Sequence, residues 1–487
     1  MLFNSFSFLL FFPIVTLLYY AFPHRFRWLI LLVSSCVFYM AFIPVYIIIL
    51  FTAIIIDYFL GILIEKETGP RKKTYLVASI LSTCILLFVF KYFNFFNTNI
   101  SSLAHFLHWN YPIGSLSIIL PIGLSFHTFQ SLSYVIEVYR GNQKAEYNFG
   151  IYALYVMFYP QLVAGPIERP QNVLHQFYER HSPDYDDITR GLRLMLWGLF
   201  KKVVIADNLA IIANTVYNNP TSFRGLSLIF ATIAFAFQIY CDFSGYSDIA
   251  LGTARVMGFK LMKNFDSPYA SKSIGEFWRR WHISLSTWFR DYIYIPMGGN
   301  RVSKFRRCFN LFFVFLVSGL WHGANWTFII WGAIHGIYQV VSIITKNIRN
   351  SISEYIGLNG LPKLKNAASV IFTFVLVCIA WVFFRASSLN DAVHIISGMF
   401  NGALNISTLK PLIAGIKAAG IGNTEVLVII LAVLIMEAVQ LLQRKKSLTA
   451  WISRRPAGLR IGMYYFMIMY ILLFGAYSAQ EFIYFQF

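Results

Sequence analysis

Long apolar runs separated by short polar or basic stretches dominate the chain. Runs near 2–22, 27–43, 44–64, 75–96, 113–139, 191–215, 226–250, 308–325, 326–345, 367–384, 424–443 and 461–481 stand out. Each approaches the ~20 residues that a helix needs to cross a membrane, which predicts about twelve crossings. The stretch 308–345 also reads as one bent unit, and 44–64 begins at a proline. The opening MLFNSFSFLLFFPIVTLLYY lacks a basic n-region and a small-residue cleavage site, so it is expected to persist as a first span. Two runs break the pattern. YALYVMFYPQLVAGPIERP (152–170) is interrupted by Pro160, Gly165 and Pro166, and EFWRRWHISLSTWFRDYIYIPMGGNR (276–301) mixes aromatics with cations. Irregular backbone at membrane depth survives only where protein or a water-filled cavity covers it. Both runs are therefore expected to re-enter from the cytoplasmic side or to lie in the interface.

Composition narrows the class. Hydrophobic residues are 57% of the 487 and charged residues 13%, about half of the ~25% charged share usual in soluble domains. Disorder, collagen and a disulfide scaffold are excluded, and an all-α polytopic membrane protein is left. No fixed-period repeat, low-complexity tract or Pro/Ser-rich linker divides it, so 1–487 reads as a single membrane domain. The five cysteines have no CxxC spacing and read as packing residues.

The net charge of +19 is concentrated. Arg255 to Arg307 holds eleven Lys/Arg against three Asp/Glu, and Arg444 to Arg460 holds six against none. Both stretches lie between apolar runs, which fits topology signals and anionic headgroups better than nucleic acid. Arg25 and Arg27, Arg71 to Lys73, and Arg140 with Lys144 follow alternate spans and share that side. The positive-inside rule places it in the cytoplasm, with both termini outside.

Ionisable residues within apolar runs are costly, so they are the first place to seek chemistry. They are Asp57, His127, Asp242, Asp248, His322, His335 and Glu437. His322 lies in FLVSGLWHGANWTFIIWG, where Gly319 and Gly323 permit close approach and Trp321 and Trp326 bracket Asn325. A buried neutral imidazole is a competent general base for a hydroxyl. On residues alone it equally fits a histidine bonded to a carbonyl, holding two helices together. His282 lies in WRRWHISLSTW, with Arg279 and Arg280 available to an anionic substrate. An interfacial helix anchored by Trp and Arg is the reading that stands first there. FQIYCDFSGYSDIA (237–250) fits an ion or proton path, but a polar buttress is favoured. HSPDYD (181–186) has an H-x4-D spacing but reads as a solvated turn. No GxSxG, HExxH or GxxxxGK pattern occurs, and no metal ligand set is assigned. The terminal EFIYFQF (481–487) reads as an aromatic belt, or as a tail folding back to present Tyr484 as a nucleophile.

Five runs together resemble the membrane-bound O-acyltransferases, in the bacterial branch that acetylates alginate, other exopolysaccharides or peptidoglycan. They are SFHTFQSLSYVIEVYRG (125–141), YPQLVAGPIERP (159–170), FWRRWHISLSTWFRDYIYIPMGGNR (277–301), SGLWHGANWTFIIWG (318–332) and FIYFQF. They make 120–340 the core motif region, with 481–487 as an aromatic tail. The resemblance implies that His322, in its W-H-G setting, is catalytic and that His282, in W-H-x-S, is the second catalytic histidine. It implies a ring of spans around a central funnel or tunnel open to both faces, in the bacterial inner membrane. It also implies that a tyrosine in the aromatic tail relays the acyl group, which raises Tyr484 to a candidate.

The expected reaction is acyl transfer across the membrane. Acetyl-CoA is the expected donor substrate, with no tightly bound cofactor, and docks on the basic surface near 276–307. Trp321, Asn325, Arg279, Arg280 and Trp288 are expected to contact substrate. His322 takes the proton of an attacking hydroxyl while His282 orients or polarises the thioester carbonyl. An extracytoplasmic esterase-like partner would then pass the acetyl group to polysaccharide or peptidoglycan. Two rivals are D-alanyl transfer to teichoic acid and a transporter or flippase for a lipid-linked glycan. The fused aromatic tail speaks against the first, and the lack of inverted repeats against the second.

Overall fold

The computed structural model describes residues 1–118, 120–163, 165–445, 452, 455–477 and 482–483. Every regular element among them is helical. Seven helices among the described residues are long and apolar enough to cross a membrane: Tyr46–Lys66, Arg71–Phe106, Leu226–Val256, Trp326–Ile344, Pro362–Arg385, Asn423–Arg444 and Ala457–Phe474. Phe6–Ala21 is apolar but shorter. The expected crossing at 113–139 is helical only from Leu124, in a helix that runs to Arg140, with irregular and turn backbone before it among the described residues. Gly123, at φ 77°, starts that helix in a conformation few other residues accept.

The chain packs as two compact units. The first comprises Met1–Met195 and Tyr246–Met262. Its buried Asp57 accepts hydrogen bonds from Ser79 Oγ at 2.5 Å and Thr83 Oγ1 at 3.3 Å. A carboxylate in an apolar helix is thus met by hydroxyls of the neighbouring one. The irregular run after the helix Phe149–Met157 is almost wholly buried, and several of its polar groups have protein partners. Gln161 Nε2 donates to Tyr155 O at 2.8 Å, Tyr155 Oη to Glu168 O at 3.0 Å, and His127 Nε2 lies 3.1 Å from Leu162 O. Glu168 accepts the Met262 N–H at 2.5 Å. This is the protein-covered irregular backbone that the proline- and glycine-broken sequence requires.

The second unit comprises Leu196–Gly245 and Lys263–Phe487. Two of its helices, Lys304–His322 and Trp326–Ile344, form a hairpin, so the ambiguous 308–345 is two elements broken at Gly323–Asn325. Asn325 caps the second, its side-chain oxygen accepting the Thr327 N–H at 3.0 Å. The backbones meet at Gly319 and Gly332. A Cβ on Gly332 would lie 2.3 Å from Phe315 O, and one on Gly319 2.3 Å from Phe328 O. Neither carbonyl can yield without moving its helix. Gly332→Ala is therefore expected to cost about 1–3 kcal/mol by overpacking, and to shift His322, ten residues back on the hairpin. A thermal unfolding scan of the purified variant beside an activity assay checks both effects.

Candidate active site

His322 is the last residue of the helix Lys304–His322 and is 4% exposed. Its ring packs edge-on against Trp321 (centroids 4.8 Å, 74°), Trp331 (4.9 Å, 84°) and Phe384 (5.4 Å, 71°). Trp321 comes from the W-H-G sequence, Trp331 from the following apolar helix and Phe384 from Pro362–Arg385, and together they strip the imidazole of bulk water. The carbonyl end of a helix favours positive charge, which a base acquires on taking a proton.

His282 sits between the short helices Ile274–Arg280 and Ile283–Phe289, fully buried, with φ 42° and ψ 56°. A left-handed conformation costs a non-glycine residue roughly 1–2 kcal/mol. Asn264 holds the bend. Its carbonyl accepts the Ile283 N–H at 2.9 Å, and its side-chain oxygen accepts Ser284 N at 3.3 Å and Ser284 Oγ at 3.0 Å. Ser284 Oγ in turn lies 3.4 Å from His282 Nδ1. Burial pushes the His282 imidazole down to about 3, so at neutral pH it is a neutral ring with one donor and one acceptor nitrogen.

The two histidines meet on one indole. Trp321 lies 4.8 Å from His322 and 6.4 Å from His282 between ring centroids. The segment carrying His282 is also pinned to the hairpin, because Trp278 Nε1 donates to His335 Nδ1 at 3.2 Å. His335 is thereby a structural acceptor. Asn264→Ala strands the buried Ser284 N–H and frees the bend. Losing a buried partner costs about 1–3 kcal/mol. A fall in turnover of about five- to a hundredfold is expected. Ser284→Ala keeps the N–H and should lose less, and parallel rate measurements on the two membrane preparations compare them.

The other expected substrate contacts spread over this surface. Arg279 is exposed; Arg280 is half-buried and pairs with Glu276 at 2.7 Å. Trp288 is buried against Phe289 and Tyr292. Asn325 is exposed apart from its capping role. Tyr484 lies outside the described residues. The two residues before it, Phe482 and Ile483, are each 1% exposed. Phe482 packs on Phe243 at 5.9 Å, and Phe243 on His282 at 4.6 Å.

Two features escaped the sequence reading. Asn264 has no motif. Lys201 and Lys202 stand in a π-helical turn, Phe200–Ala206, and are buried. Their signal was legible, since FKKVVIA places two cations within an apolar run. Lys202 Nζ lies 2.7 Å from Asp207 and 2.7 Å from Asp242. The favoured reading of Asp242 as part of a polar buttress agrees with that pairing.

Comparison with known proteins adds the chemistry. A sequence model described as the membrane-bound O-acyltransferase family matches residues 143–389. The chain is 42% identical over 417 residues to the probable alginate O-acetylase AlgI of Pseudomonas aeruginosa, covering 84% of this chain and 77% of that one. It is 36% identical over 403 residues to the peptidoglycan O-acetyltransferase of Helicobacter pylori, covering 76% and 73%. The teichoic acid D-alanyltransferase of Streptococcus thermophilus is more distant, at 30% over 311 residues, covering 57% and 71%. The family model and these relatives are all described as enzymes of acyl transfer. The chain, a multi-pass helical membrane protein, belongs to the membrane-bound O-acyltransferase family and is an O-acyltransferase.

Proposed function

We propose that this enzyme moves an acetyl group from cytoplasmic acetyl-CoA through the membrane to an extracytoplasmic polysaccharide or peptidoglycan, with His322 as general base. The observation that carries the reading is the meeting of His322 and His282 on the Trp321 indole, in the W-H-G and W-H-x-S settings. The relatives named for alginate and peptidoglycan O-acetylation support the acceptor class.

In this reading about twelve crossings ring a central funnel in the bacterial inner membrane. The basic face near 276–307 lies in the cytoplasm and both termini lie outside. Arg279 and Arg280 meet the donor's phosphates, and Trp288 and Trp321 its apolar parts. The Tyr484 hydroxyl gives its proton to His322 as its oxygen attacks the thioester carbonyl. His282 polarises that carbonyl. The C–S bond breaks, the departing thiolate takes the proton from the imidazolium, and an acetyl-tyrosine ester remains. A sugar hydroxyl then attacks the ester with the help of an esterase-like partner, which regenerates the phenol. Such a relay needs the tail inside the protein, and the burial of Phe482 and Ile483 beside Phe243 supports it.

The test is mass spectrometry of the C-terminal peptide after incubation with acetyl-CoA and no acceptor. The expected result is a mass gain of one acetyl group on Tyr484, absent from a His322→Ala sample. No acetyl on the peptide while polymer acetylation proceeds would overturn the relay. D-alanylation of the peptide from a D-alanyl carrier protein, with no acetylation from acetyl-CoA, would transfer the assignment to the teichoic acid branch.

A further inference from the structure

The second unit holds a buried ion cluster that touches the tail. Lys202, Asp207 and Asp242 are 3%, 2% and 3% exposed. One ammonium faces two carboxylates, so the cluster has an anionic oxygen to spare. Asp242 spends Oδ1 on Lys202 at 2.7 Å and Oδ2 on the backbone N–H of Ile483 at 2.8 Å. The same stretch of chain also holds the end of the helix Ala457–Phe474, ahead of the tail. Val203 O accepts the Ala476 N–H at 3.0 Å, and Asn208 Nδ2 donates to Phe474 O at 3.1 Å. Leaving a further buried carboxylate oxygen without a donor is costly. Withdrawing the tail would leave Asp242 Oδ2 facing protein interior with no donor, so tail docking and the cluster stabilise each other.

We infer that the Lys202–Asp242 pair is a latch for the C-terminal tail, fixing Ile483, the residue before Tyr484, through its backbone N–H. The inference rests on the relay reading above and adds positioning residues to it. Asp242 and Lys202 touch no reacting atom. Because the latch grips main chain, it is indifferent to the side chain at 483 as long as that residue has an N–H.

Ile483→Pro removes the N–H and leaves the ion cluster intact, whereas Ile483→Val keeps it. Tail release is read on the full-length protein carrying Gln486→Cys as a probe, as the rate of maleimide labelling located by mass on the terminal peptide. Ile483→Pro is expected to label about tenfold faster than wild type or Ile483→Val, as befits loss of a hydrogen bond to a charged acceptor. Its turnover should fall with the donor KM unchanged, a split that simple misfolding would not give, and its unfolding temperature should drop modestly because the Asp242 oxygen is stranded. Asp242→Leu should release the tail likewise, and Asp242→Asn, which keeps an acceptor oxygen, should lie between. Labelling of Ile483→Pro at the wild-type rate would overturn the latch. Faster labelling with undiminished polymer acetylation would leave the latch standing and sink the relay. Acetyl-Tyr484 in a protein whose tail stays protected despite Ile483→Pro would do the reverse.

Discussion

Membranes carrying His322→Ala are expected to lose acetyl transfer by about 10²- to 10⁴-fold, the range that a positioned general base supplies. The measurement is release of free thiol from acetyl-CoA, or passage of labelled acetyl to acceptor, at equal amounts of folded protein. Two features make the loss specific to chemistry. The ring is held by Trp321, Trp331 and Phe384, so His322→Gln, of similar volume, should keep the fold and still lose the rate. His335 serves as the internal comparison. It is another fully buried imidazole on the same hairpin, but its Nδ1 accepts from Trp278. Replacing it should lower stability, because it strands an indole N–H at a cost of about 1–3 kcal/mol, while the surviving folded fraction retains turnover. Equal transfer by His322→Gln and wild type would remove His322 from the mechanism.

How legible this was depends on which physical rule applied. Helix positions followed from apolar runs because a bilayer demands long ones. The break in 152–170 was readable from Pro160 and Pro166, and the hairpin break from Gly323 and Asn325. Polar contacts between distant segments were not. Asn264 shapes the backbone at His282 from outside its motif, and no local pattern announces such a role. The start of 113–139 misled because apolar residues there satisfy a hydropathy window without forming a helix. By charge and surroundings alone His322 and His335 are similar, each an imidazole among aromatics, and the W-H-G setting marks only His322. The Trp278 contact gives His335 the helix-holding role, whereas the catalytic reading of His322 rests on its W-H-G setting. The Lys202 cluster shows the converse, since its three members stand out by charge alone, yet their partnership depends on how Leu226–Val256 packs beside the π-helical turn.

Tyr484→Phe should reduce transfer to the acceptor polymer to background. The substitution removes one oxygen and keeps the ring, so the tail should stay docked through the Ile483 N–H and the Phe482–Phe243 contact. The probe at Gln486 should then label as slowly as in wild type, which separates loss of the hydroxyl from loss of the tail. Donor binding is expected to persist, because the basic surface near 276–307 is untouched, so the donor KM holds while turnover collapses. That pattern marks an interaction made on the way to the transition state and not in the ground state. A direct mechanism predicts otherwise. If a sugar hydroxyl entered the His322 cage itself, the phenylalanine tail would be an inert plug of unchanged shape, and polymer acetylation would continue at the wild-type rate. Measuring acetylated polymer in cells carrying each variant, beside acetyl-CoA hydrolysis in the matching membranes, decides between the two.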